Sequence, residues 1–179
     1  MTNLSSLTVT DSVSFPEAIA LTQSFLEQMA SGALSEEDIA QVTENLVRTE
    51  NGARGFFVTY LSDEGTLADR PSPGIFQGLG SSEQIVSELM VKNLAMSAAM
   101  VIAHRRSGDE TMAQGSERVR DRSTHIIQTL ALPIMQQGIK SLLETIRAGT
   151  GSYQSFLERW KYDAEQKAAI AKALQAVLS

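Results

Sequence analysis

The chain has 179 residues, of which 42% are apolar and 20% charged, a composition typical of a folded globular protein rather than a disordered one. It contains no cysteine and only two histidines, so a disulfide scaffold, a thiolate metal site and a cysteine nucleophile are excluded. No apolar run approaches the roughly 18 residues of a membrane span, and the N-terminus lacks a signal-peptide pattern. We therefore expect a cytoplasmic protein without a membrane partner.

The net charge of −6 is unevenly distributed along the chain. Residues 1–90 contain 13 acidic residues against 3 arginines, a balance of −10, whereas residues 91–179 contain 12 cations against 8 acids, a balance of +4. Such polarity can steer association between molecules, so we expect it to matter for assembly. The overall acidity argues against a nucleic-acid partner.

The first half of the chain begins with a Ser/Thr-rich lead-in over residues 1–13, which we expect to be loose. Residues 14–17 (SFPE) form a capping box that predicts the start of a helix, and Gly32 is a typical helix stop. Residues 35–38 (SEED) predict a second helix, which we expect to end at residues 51–52 (NG).

Residues 56–61 (FFVTYL) have real strand propensity, but no partner strand of similar character lies nearby. Because a lone strand leaves its backbone groups unpaired, the segment is interpreted as a short buried helix. Residues 62–74 predict a loop. Residues 74–80 are rich in glycine but lack the lysine and preceding strand of a phosphate-binding loop, so we expect them to let a short helix pack closely.

The second half predicts two helical arms from Ser81 to about Leu130, with a break at Ser107-Gly108. The first arm is apolar on more than one side, which is typical of a central buried helix. A helix following Pro133, a short one over residues 152–160, and a last one capped at Asp163 complete the chain. The sequence thus predicts an all-α protein with a single domain over residues 14–179, a bundle of seven or eight helices around a central apolar helix.

Arginines cluster on either side of the predicted break between the arms. Guanidinium groups suit the recognition of carboxylates and phosphates, so these residues are candidates for binding a protein partner or an anion. The competing interpretation, which we favour for each arginine singly, is a solvated face paired with neighbouring acids. The candidates are Arg105, Arg106, Arg118, Arg120 and Arg122.

Two other groups have both a structural and a functional interpretation. Met96, Met100 and His104 are candidates for lining a small-molecule pocket between helices, although core filling is the favoured interpretation of the methionines. Trp160 and the nearby tyrosines and Phe156 are interpreted as a corner of the core, and the alternative is that an aromatic pair beside basic residues anchors a partner.

Catalytic and cofactor signals are missing from the pattern. The sequence contains no nucleophile elbow, no phosphate-loop motif and no pair of acid and base at useful spacing. The spacing of His104 and His125 around the break keeps them apart, so we expect no metal site, and we expect no haem on His104. The sequence therefore predicts a protein without catalytic residues or a cofactor.

Three segments resemble uncharacterised all-helical proteins of cyanobacteria. These are residues 89–122 (LMVKNLAMSAAMVIAHRR, then AQGSERVRDR), residues 56–73, and residues 152–163 (SYQSFLERWKYD). The resemblance implies a bacterial cytosolic setting and no function. Our functional hypothesis is a non-enzymatic protein–protein interaction or regulatory protein that forms a homodimer with an unidentified protein partner, and the alternative is a small-molecule or cofactor binder.

Overall fold

The computed structural model describes residues 4–179, with side chains from Ser6 onward. Every regular element within residues 4–179 is helical and none is a strand, which confirms the predicted all-α class. After a 3-10 helix at Leu4–Leu7, the α-helices are α1 (Phe15–Ala30), α2 (Glu36–Val47), α3 (Glu50–Ser62), α4 (Pro73–Leu79), α5 (Glu83–Arg106), α6 (Glu110–Leu130), α7 (Pro133–Ala148), α8 (Gln154–Arg159) and α9 (Ala164–Leu178).

The helices α4 and α5 are joined by a 3-10 turn at Gly80–Ser82 and form one continuous helical segment, Pro73–Arg106. Counting this segment once gives eight α-helical segments in the described chain, as predicted. The segment is the predicted central apolar helix. It is long and apolar enough to cross a membrane by length and composition alone, but 56% of its most apolar window is buried inside the protein, as in the core helix of a soluble protein.

Local capping signals fix most helix starts. Ser14 and Asp163 each form the reciprocal bonds of a capping box, as the sequence predicts. Ser35, where the acidic residues predict a helix start, also forms a capping box, with Asp38. The prediction that the second helix ends at residues 51–52 is wrong. Helix α2 ends at Val47, and residues 51–52 lie in the first turn of α3 because the Thr49 side chain accepts the backbone N–H of Gly52 and starts a new helix there.

The segment 56–61 lies within α3, which confirms its interpretation as a buried helix. The Phe56 ring stacks on Tyr60 at a centroid distance of 5.0 Å and meets Phe57 edge-on at 5.2 Å. All three rings are buried. Aromatic residues with strand propensity are therefore held in a helix by burial.

The chain divides into two compact units, unit 1 over residues 1–89 and unit 2 over residues 90–179. In unit 1, α1 packs against α3 and α2 packs against α4. The predicted loose lead-in places three apolar side chains, Leu7, Val9 and Val13, in buried positions. Its residues 1–3 lie outside the described part of the chain. The single domain over residues 14–179 stays a prediction.

Both helix pairs of unit 1 approach closely at a glycine. A Cβ placed on Gly55 would lie 2.4 Å from the Cβ of Ala18, and one placed on Gly78 would lie 2.5 Å from the Cβ of Thr43. Real Cβ atoms do not approach this closely, so only glycine allows these contacts. The expected close packing of residues 74–80 is confirmed.

The core of unit 2 is built from the inner faces of four helices. Helix α5 contributes small side chains such as Ala95 and Ala99, while α7 and α9 pack against one another and α6 against α9. The tight turn between α5 and α6 passes through Gly108, whose φ of 76° lies in the left-handed region. Large apolar side chains of the core include Leu94, Ile126, Met135, Leu142, Ile170 and Leu174.

Candidate interaction surface

Two of the predicted arginines lie at the end of α5 and are each paired with acids. The Arg105 Nη2 atom lies 2.8 Å from Glu117 Oε1 and 3.3 Å from Glu110 Oε1, both on α6. The hydrogen bonds to Glu110, and next those to Glu117, raise the pKa of Arg105 above its ordinary value. This pairing links the C-terminal end of α5 to the N-terminal part of α6 across the turn.

Arg106 pairs with the start of α9 instead. Its Nη1 atom lies 2.5 Å from Oδ2 of Asp163, the N-cap of α9, and its Nη2 atom also pairs with Glu165. The hydrogen bond from Arg106, followed by the backbone N–H of Gln166, lowers the pKa of Asp163. Gln166 adds a bond from its Nε2 atom to the Ala99 carbonyl at 3.4 Å, so α9 is attached to α5 at two points.

The remaining predicted arginines are placed differently. Arg120 pairs with Asp121, whose Oδ1 atom lies 3.0 Å from Nη2, and Arg118 is half-buried on the same helix. Arg122 is only 3% exposed. The five arginines therefore do not share one surface, and four carboxylates already balance Arg105 and Arg106. Their assignment to an anion or a partner stays a prediction.

Met96, Met100 and His104 lie on one face of α5, at intervals of four residues. Met96 and His104 are half-buried, whereas Met100 is 38% exposed. On the other side of the turn, Met112 in the first turn of α6 is 53% exposed. Met100 lies six residues before the end of α5, less than two helical turns, and Met112 lies in the first turn of α6. Flexible apolar side chains thus reach solvent on both helices beside this turn.

The aromatic group near the C-terminus divides into a buried part and an exposed residue. Phe156 meets Tyr153 and Tyr162 edge-on at centroid distances of 6.3 and 6.1 Å, and burial raises the pKa of Tyr162 to about 12. Trp160 is 48% exposed, with the Arg159 guanidinium 5.9 Å from its ring centroid. The sequence-based assignment of the whole group to the core thus missed Trp160, although the basic residues on both sides of it were a signal of exposure.

A groove of about 370 Å³ lies in unit 1, between the lead-in and α1. Its lining includes none of the residues predicted to form a pocket. The Glu17 carboxylate in its wall accepts the backbone N–H of Ser14, and this bond is the main cause of the lowered pKa of Glu17. Among the described side chains, no three acids or histidines cluster as metal ligands would. The groove is lined by Thr8, Thr10, Val13, Glu17, Ala20, Leu21 and Ser24.

Comparison with known families gives a match along most of the chain. The model of a family described as Uncharacterised conserved protein UCP020893 matches residues 14–177. The chain belongs to this family. The predicted resemblance to uncharacterised proteins is thereby confirmed, whereas the cyanobacterial origin stays a prediction. No curated protein and no solved structure matches the chain, and membership of UCP020893 implies no particular activity.

Proposed function

We propose that this UCP020893 protein is a non-enzymatic cytoplasmic protein that acts through protein–protein contact and forms a homodimer. The observation that carries the proposal is the exposure of Met100 and Met112, 38% and 53%, on the two helices beside the α5–α6 turn. Methionine is enriched at protein interfaces, where its flexible thioether adapts to a partner surface.

The charges beside these methionines favour a protein contact. Arg105 is already bonded to Glu110 and Glu117, so a partner covering Met100 or Met112 would not leave this guanidinium buried without a counter-ion. An unpaired buried charge is among the largest penalties in an interface. Exposed apolar side chains near a helix turn whose arginine is already paired suit burial against another protein.

The small-molecule alternative at Met96, Met100 and His104 has less support. Met100 is open to solvent, whereas small ligands bind in concave sites that bury most of their surface. A groove of about 370 Å³ lies in unit 1 and is lined by none of these three residues.

Sedimentation velocity over about 1–100 µM protein tests the proposed dimer, since this range spans typical dissociation constants of moderate complexes. We expect the wild type to dimerise and both Met100→Asp and Met112→Asp to weaken the dimer at least about tenfold, because each would bury a charge in the contact. Val58→Asp is the matched control, since Val58 is 49% exposed on α3. A wild type that stays monomeric throughout refutes self-association, and a control that weakens the dimer equally refutes this surface.

A further inference from the structure

We infer that Arg159, Trp160 and Lys161 form a docking corner for the acidic outer face of α2 in a second copy of the chain. We call the first group the Trp160 corner. The α2 acidic face consists of Glu37, Gln41 and Glu44. The inference rests on the proposed self-association and adds to the methionine surface a second, charged contact between the two copies.

The Trp160 corner has the features of an interface anchor. Trp160 is 48% exposed, and tryptophan and arginine are the residues most enriched in interface hot spots. Arg159 and Lys161 are exposed, and neither forms an ion pair with any residue that the structure describes. Lys161 has a φ of 50°, a left-handed conformation that a lysine adopts only at a cost. Two exposed cations thus flank the exposed indole in sequence, and the Arg159 guanidinium lies 5.9 Å from its ring centroid.

The residues next to the Trp160 corner are held in place by contacts within the protein. Residues on both sides of the corner in sequence are held by ring contacts, since Phe156 meets Tyr153 and Tyr162 edge-on. Tyr162, the residue after Lys161, is buried. Asp163, the next residue, is held by Arg106. An anchor whose neighbours are fixed loses less conformational entropy when it binds.

The α2 acidic face is the complementary surface. Glu37, Gln41 and Glu44 recur at intervals of four and three residues, which places them on one side of the helix, and all three are exposed. Ile39, Val42 and the other apolar residues of α2 are buried. Within the described residues, neither Glu37 nor Glu44 forms an ion pair.

The charges of the two units explain why a second copy is the occupant. Unit 1 contains 13 acids against 3 arginines, and unit 2 contains 12 cations against 8 acids. Of the three arginines in unit 1, Arg48 pairs with Asp11 and Arg54 lies over the Phe15 ring, so they leave most of its acids unbalanced. In unit 2, five of the eight acids are used by Arg105, Arg106 and Arg120.

Each copy therefore carries one surface of each sign. In a two-fold dimer every contact occurs twice by symmetry. The Trp160 corner of one protomer therefore contacts the α2 acidic face of its partner, and the partner's corner makes the same contact in return. Two such contacts per dimer double the electrostatic attraction, and association driven in this way weakens with salt.

Charge reversal in both directions tests the inference by sedimentation velocity. The first variant is the double change Arg159→Glu and Lys161→Glu, and the second is the double change Glu37→Lys and Glu44→Lys. We expect each variant alone to lose dimer affinity at least about tenfold, and an equimolar mixture to recover it as a mixed dimer, since both contacts then join opposite charges. Raising the salt from about 50 to about 500 mM should weaken the wild-type dimer by a similar factor.

Two further variants separate a specific contact from a general charge effect. Lys140→Glu with Lys172→Glu reverses two exposed cations elsewhere in unit 2, and we expect a smaller loss than at the corner. Trp160→Ala removes the anchor without changing charge and should also weaken the dimer about tenfold or more. Circular dichroism checks that each variant remains helical.

The outcomes distinguish this inference from the proposed function. A wild type that is monomeric at both salt concentrations overturns both. A dimer that withstands salt and the corner variants overturns only the docking corner, and so does a mixture that fails to recover or a control that weakens the dimer as much as the corner variant.

Discussion

The close approach of α4 to α2 makes Gly78→Ala the sharpest test of the fold. A methyl group on Gly78 would lie 2.5 Å from the Thr43 Cβ, 2.7 Å from the Ala40 carbonyl oxygen and 2.8 Å from the Thr43 Cγ2. Two of these atoms are fixed to the α2 backbone, so rotation of a side chain cannot relieve the contacts. Since carbon atoms pack at about 3.5–4.0 Å, the two helices must separate by about 1 Å.

The size of the effect follows from two opposing contributions. Overpacking a tight contact costs about 1–3 kcal/mol. Replacing glycine by alanine inside a helix returns up to about 1 kcal/mol of helix propensity. We therefore expect Gly78→Ala to lower the free energy of unfolding by about 1–2 kcal/mol, which is a large fraction of the stability of a small protein.

Gly80→Ala provides a matched control in the same unit. Apart from Gly80 itself and the adjacent backbone, no atom lies within 4 Å of a Cβ on Gly80, and its φ of −64° is helical, so this variant should gain about 0.4–1 kcal/mol. Urea unfolding followed by far-ultraviolet circular dichroism measures both variants. The reasoning is refuted if Gly78→Ala is as stable as the wild type, or if Gly80→Ala loses as much stability.

Two further changes test the pairing of α9 and the conformation of the Trp160 corner. The pKa of Asp163 in the folded state lies below its ordinary value of 3.8, so the bond to Arg106 stabilises the fold above that pH and its contribution disappears as the pH falls through the folded pKa. Arg106→Gln should therefore lower the urea midpoint of unfolding at neutral pH and in low salt. In acid, the midpoints of the variant and the wild type should converge, and a difference in midpoint that stays constant with pH would contradict this reasoning. Lys161→Gly should raise the free energy of unfolding by up to about 1 kcal/mol, because glycine adopts a φ of 50° without the Cβ penalty. Lys161→Ala keeps the Cβ and removes the charge, so an equal gain in that variant would show that the backbone is not the cause.

The proposed homodimer would join two units whose formal charges have opposite sign. The formal balances of −10 and +4 along the chain are set by composition, so dimer formation should respond to ionic strength without any change in fold. In the proposed dimer, the methionines beside the α5–α6 turn would contribute an apolar contact that salt does not weaken. The fraction of dimer affinity that is lost between low and high salt therefore measures how much of the binding free energy comes from the charged contact and how much from the methionines.

Local signals in the sequence were sufficient to predict most of the helices. A capping box joins residues three positions apart, so Ser14 and Asp163 could be recognised without any knowledge of the packing. The acidic residues that follow Ser35 likewise indicated the start of α2. The buried helix over residues 56–61 followed from the absence of a partner strand. The wrong end predicted for the second helix shows the limit of such signals, because Thr49, which caps α3, lies only three residues before Gly52, where the sequence predicts a helix stop.

Only the tertiary structure decided which side chains meet and which reach solvent. Arg106 and Asp163 are 57 residues apart in sequence, and their ion pair depends on where α9 packs on α5. The clustering of aromatic residues in the sequence predicts a buried position for Trp160 and Tyr162 alike, yet Trp160 is 48% exposed and Tyr162 only 8%. The physical reason is range: capping and periodicity act within one or two turns, whereas ion pairs between helices and the burial of one ring rather than its neighbour depend on the packing of distant segments.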